Sequence, residues 1–145
     1  MEVFTIGFTQ SSAAHFFRRL RAARIRCLLD VRLNTRSQLA GFAKRDDLAF
    51  FLRELCDAEY VHEPLLAPTP ELLDAYKKRC GEWAVYKAQF LKLMAQRQIE
   101  TRLARAQFEI PTALLCSEAT AEHCHRRLVF DYLQTHWNDL KITHL

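Results

Sequence analysis

Three short apolar runs, each ending in or leading directly to polar residues, constrain the fold of this chain most strongly. They are VFTIGF at 3–8, CLLDVR at 27–32 and IPTALLC at 110–116. Continuous apolar runs of this length are typical of strands that are buried on both faces of a parallel sheet. Pro111 is acceptable because it lies at the very start of its run. We therefore predict three buried parallel strands.

Helical patterning occupies the stretches between these strands. Phe16, Phe17 and Leu20 recur at helical spacing, and the hydroxyl of Ser11 or Ser12 can accept a hydrogen bond from an amide at the helix start. The predicted helices cover about residues 12–23, 47–58, 70–80, 82–106 and 120–137, and two further short strands cover 59–64 and 139–145. Thr69 followed by Pro70 marks the start of the third helix, and Thr120 is the expected N-cap of the last one. The apolar face of the second helix is expected to consist of Phe50, Phe51, Leu55 and Ala58.

The alternation of strands and helices predicts an α/β fold. We expect a single domain over residues 1–145, with an open, mostly parallel sheet flanked by helices in three layers. The element order is β-α-β-α-β-α-α-β-α-β. A chain of 145 residues, half of them hydrophobic, is long enough to bury one core.

Composition narrows the classes of protein further. No apolar run approaches the roughly 20 residues that span a bilayer, and the first residues lack the basic flank of a signal peptide. The five cysteines are odd in number and scattered, which does not suit a disulfide framework. We therefore expect a cytoplasmic protein with reduced thiols and no membrane partner. The net charge of +4 permits contact with nucleic acid without requiring it.

Polar residues follow three predicted strands at the point where each strand ends. The carboxyl ends of parallel strands meet at one edge of a sheet, and ligands of open α/β sheets bind beyond that edge. We therefore expect these residues to share a pocket. The three groups are Thr9–Ser12, Asp30–Arg32 and Cys116–Glu118.

The first group is a candidate anion site. The hydroxyls of Thr9, Ser11 and Ser12 precede a helix start, where exposed amides and the helix dipole favour a negative charge. The loop lacks the glycines of a dinucleotide or P-loop fingerprint, so it does not indicate a specific nucleotide site. Helix capping alone is the alternative explanation for these hydroxyls.

The second and third groups each contain charged residues. Asp30 and Arg32 lie two residues apart on a strand and so point to the same side. The planar guanidinium of Arg32 suits a phosphate or carboxylate, while a structural Asp30–Arg32 pair is the alternative. Glu118 follows a buried strand, where a desolvated carboxyl suits general acid or base catalysis; a structural hydrogen-bonding role is the alternative.

Cysteines and histidines crowd the stretch that follows. If a helix starts after Thr120, Cys124 and His125 lie on its apolar face and point inward or toward the edge of the site. Adjacent residues on a helix diverge, and Cys116, His123, Cys124 and His125 show no CxxC or HxxxH pairing. We therefore expect no metal there, and no cofactor.

Cys124 and Arg126 each have a functional and a structural interpretation. A cysteine in the first turn of a helix, beside His or Arg, can be an activated nucleophile, although a buried filler is the alternative. The phosphatase pattern Cys-x5-Arg is absent. Arg126 is a candidate anion-binding residue, and its alternative is a surface ion pair with Glu122 at i,i+4 spacing.

Two other groups of residues favour structural roles. Trp83, Tyr86 and Phe90 recur at helical spacing, and we expect them to face the core rather than a ligand. Five arginines within residues 18–26 suit the solvated side of a helix.

The ordered motifs TIG, DVR, CxE and CHR, with Ser37 and Tyr60 between them, resemble the DUF488 family over nearly the whole chain. The resemblance implies a compact intracellular α/β protein of bacteria or archaea, in a family whose activity has not been established. Thr35 replaces a proline of many members, and Leu65-Leu66 replaces a Leu-Gly, which implies pocket loops shaped for a different ligand. The motif positions are Gly7, Asp30, Arg32, Ser37, Tyr60, Cys116, Glu118, Cys124, His125 and Arg126.

The sequence supports three hypotheses of function. The first is an enzyme that acts on a phosphate-bearing substrate, such as a nucleotide or nucleic acid. The second is a non-catalytic nucleic-acid-binding module that uses the arginines of 18–26. The third is a buried polar network with no catalytic role. In the enzyme, Arg32, Arg126 and the Thr9–Ser12 loop hold the anion, Glu118 is acid or base, His125 orients or relays a proton, and Cys124 or Cys116 shapes the pocket or is the nucleophile.

Overall fold

The computed structural model describes residues 1–35, 41–117 and 123–145. Its strands are β1 (Glu2–Gly7), β2 (Cys27–Asp30), β3 (Glu59–His62), β4 (Thr112–Cys116) and β5 (Lys141–His144). Its helices are α1 (Ala13–Ala22), α2 (Arg45–Cys56), α3 (Pro70–Lys77), α4 (Trp83–Arg97), α5 (Ile99–Arg102) and α6 (His125–His136). Short 3-10 turns cover Gly41–Ala43, Pro64–Leu66 and Arg105–Glu109.

The five strands form one sheet in the order β3-β2-β4-β1-β5, and all four neighbouring pairs are parallel. β4 therefore lies between the first two strands of the chain. Gly7 is in register with Cys116, and Asp30 with Leu115, so the carboxyl ends of β1, β2 and β4 lie side by side. This is the edge at which the sequence predicts a pocket.

A hydrophobic cluster covers each face of the sheet. On one face, Phe16 and Leu20 of α1 pack with Leu48 and Leu52 of α2. On the other face, the cluster is built by α4 and α6, with Phe90 among its buried members. All residues of β2 and β4 are buried, because helices cover both sides of these strands. The predicted α/β fold with three layers is confirmed.

The sequence also marks two helix starts correctly. The hydroxyl of Ser12 caps α1 by accepting from the amide of His15 at 3.1 Å. The hydroxyl of Thr69 caps α3 by accepting from the amide of Leu72, and Pro70 is the first helical residue. Both hydroxyls satisfy amides that the first helical turn leaves without a partner.

Three predicted features differ from the structure. The helix expected over 82–106 ends at Arg97, because Gln98 has a φ of 52° and this left-handed conformation stops a helix. Phe50 and Leu55, expected in the apolar face of α2, are exposed. Helix α6 begins at His125, with Cys124 as its N-cap. Thr120, the predicted cap, lies outside the described residues.

The arginine-rich segment is largely solvated, as expected, with one exception. Arg19 is half-buried, and its guanidinium donates to the carbonyl oxygens of Gly7 at 3.1 Å and Leu145 at 3.0 Å. It therefore fastens α1 to the end of β1. Across the part of the chain that the structure describes, no helix has the length and apolar character needed to span a membrane.

Candidate functional site

A cavity of about 170 Å3 opens at the carboxyl ends of β1, β2 and β4. Its walls come from the loops after these strands, from α3 and α4, and from the start of α6. The residues named below belong to three parts of it, which we call the floor, the aromatic wall and the Arg32 side. The lining residues are Phe8, Arg32, Leu33, Asn34, Pro68, Leu73, Tyr76, Lys77, Trp83, Tyr86, Cys116, Ser117, His123, Cys124 and His125.

The floor consists of Cys116, Cys124 and His125, all buried. Sγ of Cys116 lies 3.6 Å from Nδ1 of His125, and the reactive atoms of the three side chains lie within 4.8 Å of one another. From the sequence we expected the side chains of Cys124 and His125 to diverge, because we placed both residues on a helix. Cys124 instead has an extended backbone, with φ −126° and ψ 139°. The two neighbouring side chains therefore reach the same place.

A hydrogen bond to β2 fixes the ring of His125. Its Nε2 lies 2.7 Å from the carbonyl oxygen of Val31. A carbonyl oxygen only accepts, so Nε2 carries a proton and donates it. Nδ1 then faces Cys116. Burial lowers the pKa of His125, but Cys116 and the Val31 carbonyl together raise this pKa above its ordinary value.

Of the two sequence interpretations of Cys124, an activated nucleophile or a buried filler, the surroundings of its thiol favour the second. Burial raises the pKa of Cys124 well above its ordinary value, and contact with Cys116 raises it further. Arg126 lowers this pKa, but by less. Burial prevails because the thiol is only 2% exposed, so a charge there has little water to solvate it. In the protein without a bound cation, Cys124 is a protonated thiol at neutral pH.

The Arg32 side is held by a buried polar network. Nε and Nη2 of Arg32 donate to the two carboxylate oxygens of Asp30 at 2.8 and 2.7 Å. The hydroxyl of Tyr60 donates to the same carboxylate at 2.5 Å, and Nη2 of Arg32 also donates to the carbonyl of Ala43 at 2.7 Å. Burial and then Asp30 raise the pKa of Tyr60 above its usual range. These contacts have the form of the structural Asp30–Arg32 pair considered from the sequence.

Arg32 nevertheless has a face toward the cavity. Its guanidinium carbon lies 5.1 Å from the centre of the Phe8 ring, and both residues line the cavity. Nη1 of Arg32 is buried and has no hydrogen-bond partner among the described residues. The Asp30 pair thus occupies one side of the guanidinium and leaves Nη1 as its remaining donor.

The aromatic wall is formed by Tyr76, Trp83 and Tyr86, with His123 against it. The rings of Trp83 and Tyr86 are stacked at 5.4 Å with 23° between their planes, and His123 stacks on Trp83 at 5.0 Å. Tyr76 lies 4.9 Å from Tyr86, and the amine of Lys77 lies 5.5 Å from the Tyr76 ring centre.

The sequence did not predict this wall, because we expected the aromatic residues of α4 to face the core. Tyr86 and Phe90 are buried, but Trp83 and Tyr86 also line the cavity. The strand-end argument could not find it, because α4 follows α3 through the turn at Gly81 and does not follow a strand.

A comparison with known protein families gives a match over most of the chain. The family model described as "Domain of unknown function DUF488" matches residues 12–133. The chain belongs to the DUF488 family. No curated protein and no solved structure gives a significant match. The DUF488 match includes the floor, the aromatic wall and the Arg32 network, while β1 precedes it.

The structure brings together only some of the DUF488 positions and other residues predicted to form the site. Arg32, Cys116, Cys124 and His125 line one cavity. Asp30 lies behind Arg32 as its buried partner, and the half-buried Tyr60 donates to Asp30. Glu118 and Ser37, the predicted acid or base and a predicted pocket residue, lie outside the described residues, as does Glu122.

The predicted anion loop of this DUF488 protein is not among the residues that line the cavity. The hydroxyl and the amide of Thr9 both donate to the carbonyl of Ser117, the amide at 3.0 Å. The hydroxyl of Ser11 accepts from Nη2 of Arg19 at 3.2 Å, and Ser12 caps α1. These contacts join the loop after β1 to the loop after β4, so the hydroxyls shape the site from behind.

Arg126 is 1% exposed, so its charge does not lie at the surface. It is not among the described residues that line the cavity. Glu122, its partner in the ion pair considered from the sequence, lies outside the described residues, and anion binding by Arg126 stays a prediction. Burial lowers the pKa values of Arg19 and His144, and the charge of Arg126 lowers both of them further. The charge of Arg126 therefore lies near α1 and the end of β5.

The residues at the two departures from the DUF488 pattern, Thr35 and Leu65-Leu66, are held in place by burial and by backbone hydrogen bonds. Thr35 is buried, and its carbonyl accepts from the amide of Arg45 at 2.9 Å, which sets the start of α2. Leu66 is buried in a 3-10 turn, and the carbonyl of Leu65 accepts from Nη1 of Arg97 at 2.7 Å. These loops lead to Leu33 and Pro68 in the cavity wall.

Proposed function

We propose that this DUF488 protein is an enzyme that acts on a phosphate-bearing substrate with a planar ring, a nucleotide or a nucleotide unit of a nucleic acid. The observation that carries the proposal is the composition of one cavity. Thiol and imidazole groups form its floor, stacked aromatic rings form one wall, and cationic Arg32 and Lys77 lie on its sides.

The aromatic wall is evidence that the substrate contains a planar ring. Trp83 stacks on Tyr86 and on His123, and all three rings line the cavity, so a planar ring can pack against this stack; stacking of one base on an aromatic side chain contributes about 1–3 kcal/mol. The cavity volume of about 170 Å3 is smaller than the roughly 300–1,000 Å3 typical of pockets for drug-sized ligands. It therefore suits the ring, with the sugar and phosphate nearer to the opening.

The two cationic side chains at the cavity, Arg32 and Lys77, are evidence that the substrate also carries a phosphate. Arg32 offers Nη1, and its guanidinium is fixed in place by Asp30, so little side-chain entropy is lost when it binds an anion. Lys77 takes the second cationic role that the sequence assigned to Arg126, since Lys77 lines the cavity.

The floor supports catalysis rather than binding alone. Cys116 and His125 are within contact distance of each other and of the space that a ring would occupy. Glu118 follows Ser117, a lining residue, and stays our predicted acid or base.

Binding can be measured by the fluorescence of Trp83 with a panel of nucleoside monophosphates, ribose 5-phosphate and inorganic phosphate. We expect a monophosphate to quench Trp83. By isothermal titration calorimetry, which needs no tryptophan signal, Trp83→Ala should weaken its binding about tenfold, the equivalent of about 1.4 kcal/mol of stacking. The second tryptophan supplies the control: Trp137 packs against Phe108, away from the cavity, so Trp137→Phe should leave the quench and the affinity unchanged.

Turnover is tested on the same panel by chromatography of the products. Glu118→Gln should abolish turnover with little change of melting temperature. Equal affinity for phosphate and for nucleotides, or full affinity in Trp83→Ala, would contradict a ring-binding wall.

A second candidate function, a non-catalytic nucleic-acid-binding surface, is favoured by a separate basic groove. Arg21, Arg24, Arg26 and Arg53 line this groove near the starts of β2 and β3, at the opposite end of the sheet from the cavity. Arg26 is paired with Asp57 at 2.8 Å, which neutralises part of its charge.

Affinity for a duplex or single-stranded oligonucleotide, measured from low to moderate salt, tests this candidate. Phosphate contacts make log K fall linearly with log salt concentration, and replacing Arg18, Arg21 and Arg24 together with Gln should flatten that slope. Salt-independent binding, or an unchanged slope in the triple variant, would reject the surface.

A further inference from the structure

We propose that Cys116, Cys124 and His125 form a Zn2+ site with three protein ligands, and that its fourth coordination position opens into the cavity. The donors are two cysteine sulfurs and one imidazole nitrogen, a ligand set that selects zinc among the common divalent ions. The proposal does not depend on the substrate proposed above, because none of its three ligands belongs to the aromatic wall.

The spacing of the donors fits tetrahedral coordination. Zn–S bonds of about 2.3 Å and Zn–N bonds of about 2.0–2.1 Å at a tetrahedral angle separate sulfur from nitrogen by about 3.6 Å. Sγ of Cys116 and Nδ1 of His125 are 3.6 Å apart. All three donor atoms lie within 4.8 Å of one another, so small side-chain rotations bring Cys124 to the same ion.

The outer contact of His125 is the one that a metal-bound histidine makes. A histidine that binds a metal through one ring nitrogen almost always donates from the other nitrogen to a carboxylate or a backbone carbonyl. Nε2 of His125 donates to the carbonyl of Val31 at 2.7 Å, which leaves the lone pair of Nδ1 directed at the cysteines. Phe90, 5.5 Å from the ring centre of His125, packs against the same imidazole.

Charge balance also favours an ion at this place. The three side chains are between 2% and 8% exposed, and an isolated charge in such a place is costly. Two thiolates and one neutral imidazole compensate the two charges of Zn2+, so the loaded site is neutral. The other cysteines do not share these features: Cys27, Cys56 and Cys80 are dispersed, and within the described ranges no second group of metal-binding side chains converges.

The number of ligands indicates a catalytic rather than a structural type of site. Structural zinc sites close the ion with four protein ligands, whereas catalytic sites keep one position for water or substrate. Cys116, Cys124 and His125 all line the cavity, so the remaining position faces the space between the aromatic wall and Arg32. A zinc ion held there can polarise a substrate oxygen or activate a bound water.

The first test is made on the full, unsubstituted chain. The protein is reduced, stripped with a chelator, loaded with Zn2+ or Co2+ and freed of unbound metal by gel filtration. We expect about one Zn2+ per chain, and for Co2+ the strong visible bands of tetrahedral geometry together with thiolate-to-cobalt charge transfer in the near ultraviolet. Loss of the metal on filtration, or an octahedral Co2+ spectrum without charge transfer, would overturn the proposal.

The second test assigns the ligands. Cys116→Ser, Cys124→Ser and His125→Gln should each weaken Zn2+ binding by more than the ~10–100-fold that follows loss of an outer contact. The matched controls Cys56→Ser and Cys80→Ser, which alter cysteines outside the floor, should retain one Zn2+ per chain.

The cobalt spectrum of the unsubstituted chain decides the question even where a ligand variant fails to fold. Undiminished zinc binding in folded Cys116→Ser and Cys124→Ser would overturn the assignment. So would a reduced chain that binds no zinc and forms a Cys116–Cys124 disulfide on exposure to air, since the pair would then be a redox couple. Neither outcome bears on nucleotide binding by the Trp83 wall, which the fluorescence assay measures in the metal-free chain.

Discussion

Nε2 of His125 donates a hydrogen bond of 2.7 Å to the carbonyl oxygen of Val31, so the first residue of α6 is fastened to the end of β2. The two residues are separated by 94 positions in the chain. Between them lies β4, whose last residue, Cys116, contacts the same imidazole. One buried ring thus joins three elements whose ends surround the cavity.

This bond predicts a difference between two substitutions of His125. In His125→Gln, the side-chain amide can still donate to the Val31 carbonyl, whereas His125→Ala leaves that buried acceptor without its donor. We expect the alanine variant to be less stable than the glutamine variant by about 1–3 kcal/mol, measured by urea unfolding in the presence of a chelator. His125→Asn is the control, since its amide reaches only the Nδ1 position and should resemble alanine. Equal stability of Gln and Ala would show that the Val31 bond contributes nothing.

Replacing the Asp30 carboxylate should destabilise the protein far more than replacing an exposed carboxylate. Its pair with Arg32 is buried, with side-chain exposures of 0% and 4%, while Asp57 and Arg26 form a pair that is 86% and 55% exposed. We expect Asp30→Asn to cost about 3–5 kcal/mol, because it leaves the Arg32 charge buried without compensation. Asp57→Asn should change stability by about 1 kcal/mol or less. Chemical denaturation of both variants measures the contrast, and similar losses would contradict it.

The turn between α3 and α4 should tolerate no side chain at Gly81. A Cβ at this position would lie 2.6 Å from the carbonyl oxygen of Ala75, which is a backbone atom and cannot rotate away. We expect Gly81→Ala to destabilise the fold by about 1–3 kcal/mol and to weaken ring binding, because Tyr76 and Trp83 flank this turn. A Cβ at Gly41 meets no described atom within 4 Å, so Gly41→Ala should be neutral or up to about 1 kcal/mol more stable. Melting curves of the two variants should therefore move apart.

His144 should titrate below the ordinary range of histidine. Burial lowers the pKa of His144, and Arg127 and Arg126 lower this pKa further, while Asp131 raises it. Because the folded pKa is depressed, the contribution of neutral His144 to stability is complete above the unfolded pKa of about 6.5 and is lost as pH falls through the folded pKa.

Replacing Arg127 tests the electrostatic part of that shift. Nη1 of Arg127 lies 3.5 Å from Nε2 of His144, so Arg127→Gln should raise the pKa of His144 in an NMR titration. Arg105→Gln is the control, because Arg105 pairs with Asp139 elsewhere on the surface. A His144 pKa that stays fixed in Arg127→Gln would leave burial as the sole cause.

The predictions from sequence succeeded where a pattern depends on neighbouring residues. The apolar runs predicted three strands, and Ser12 and Thr69 predicted helix caps, because burial on a strand and capping on a helix each follow from local spacing. Arg32 and the floor residues, which the sequence assigns to the site, line one cavity, since the ends of parallel strands share one edge of the sheet.

The same reasoning failed where the end of a helix or the position of a side chain depends on one backbone angle or on a residue distant in the sequence. Gln98 ended a helix expected to continue, and the extended backbone of Cys124 brought its thiol beside His125 instead of turning it away. Arg126, for which the sequence left open anion binding or a surface ion pair, is buried, and its charge acts on Arg19 of α1 and His144 of β5 as well as on Cys124 at the start of its own helix.

The sequence by itself determined the fold class, the DUF488 family and the edge of the sheet where chemistry would lie, because hydrophobic periodicity and strand ends are properties of short segments. The tertiary structure alone decided which side chains meet. It placed β4 between β2 and β1, and so set Cys116 against His125 and Val31. It also placed Trp83 in the cavity wall and buried Arg126. Such meetings depend on the order of the strands and on the conformation of single residues, and no local pattern encodes either.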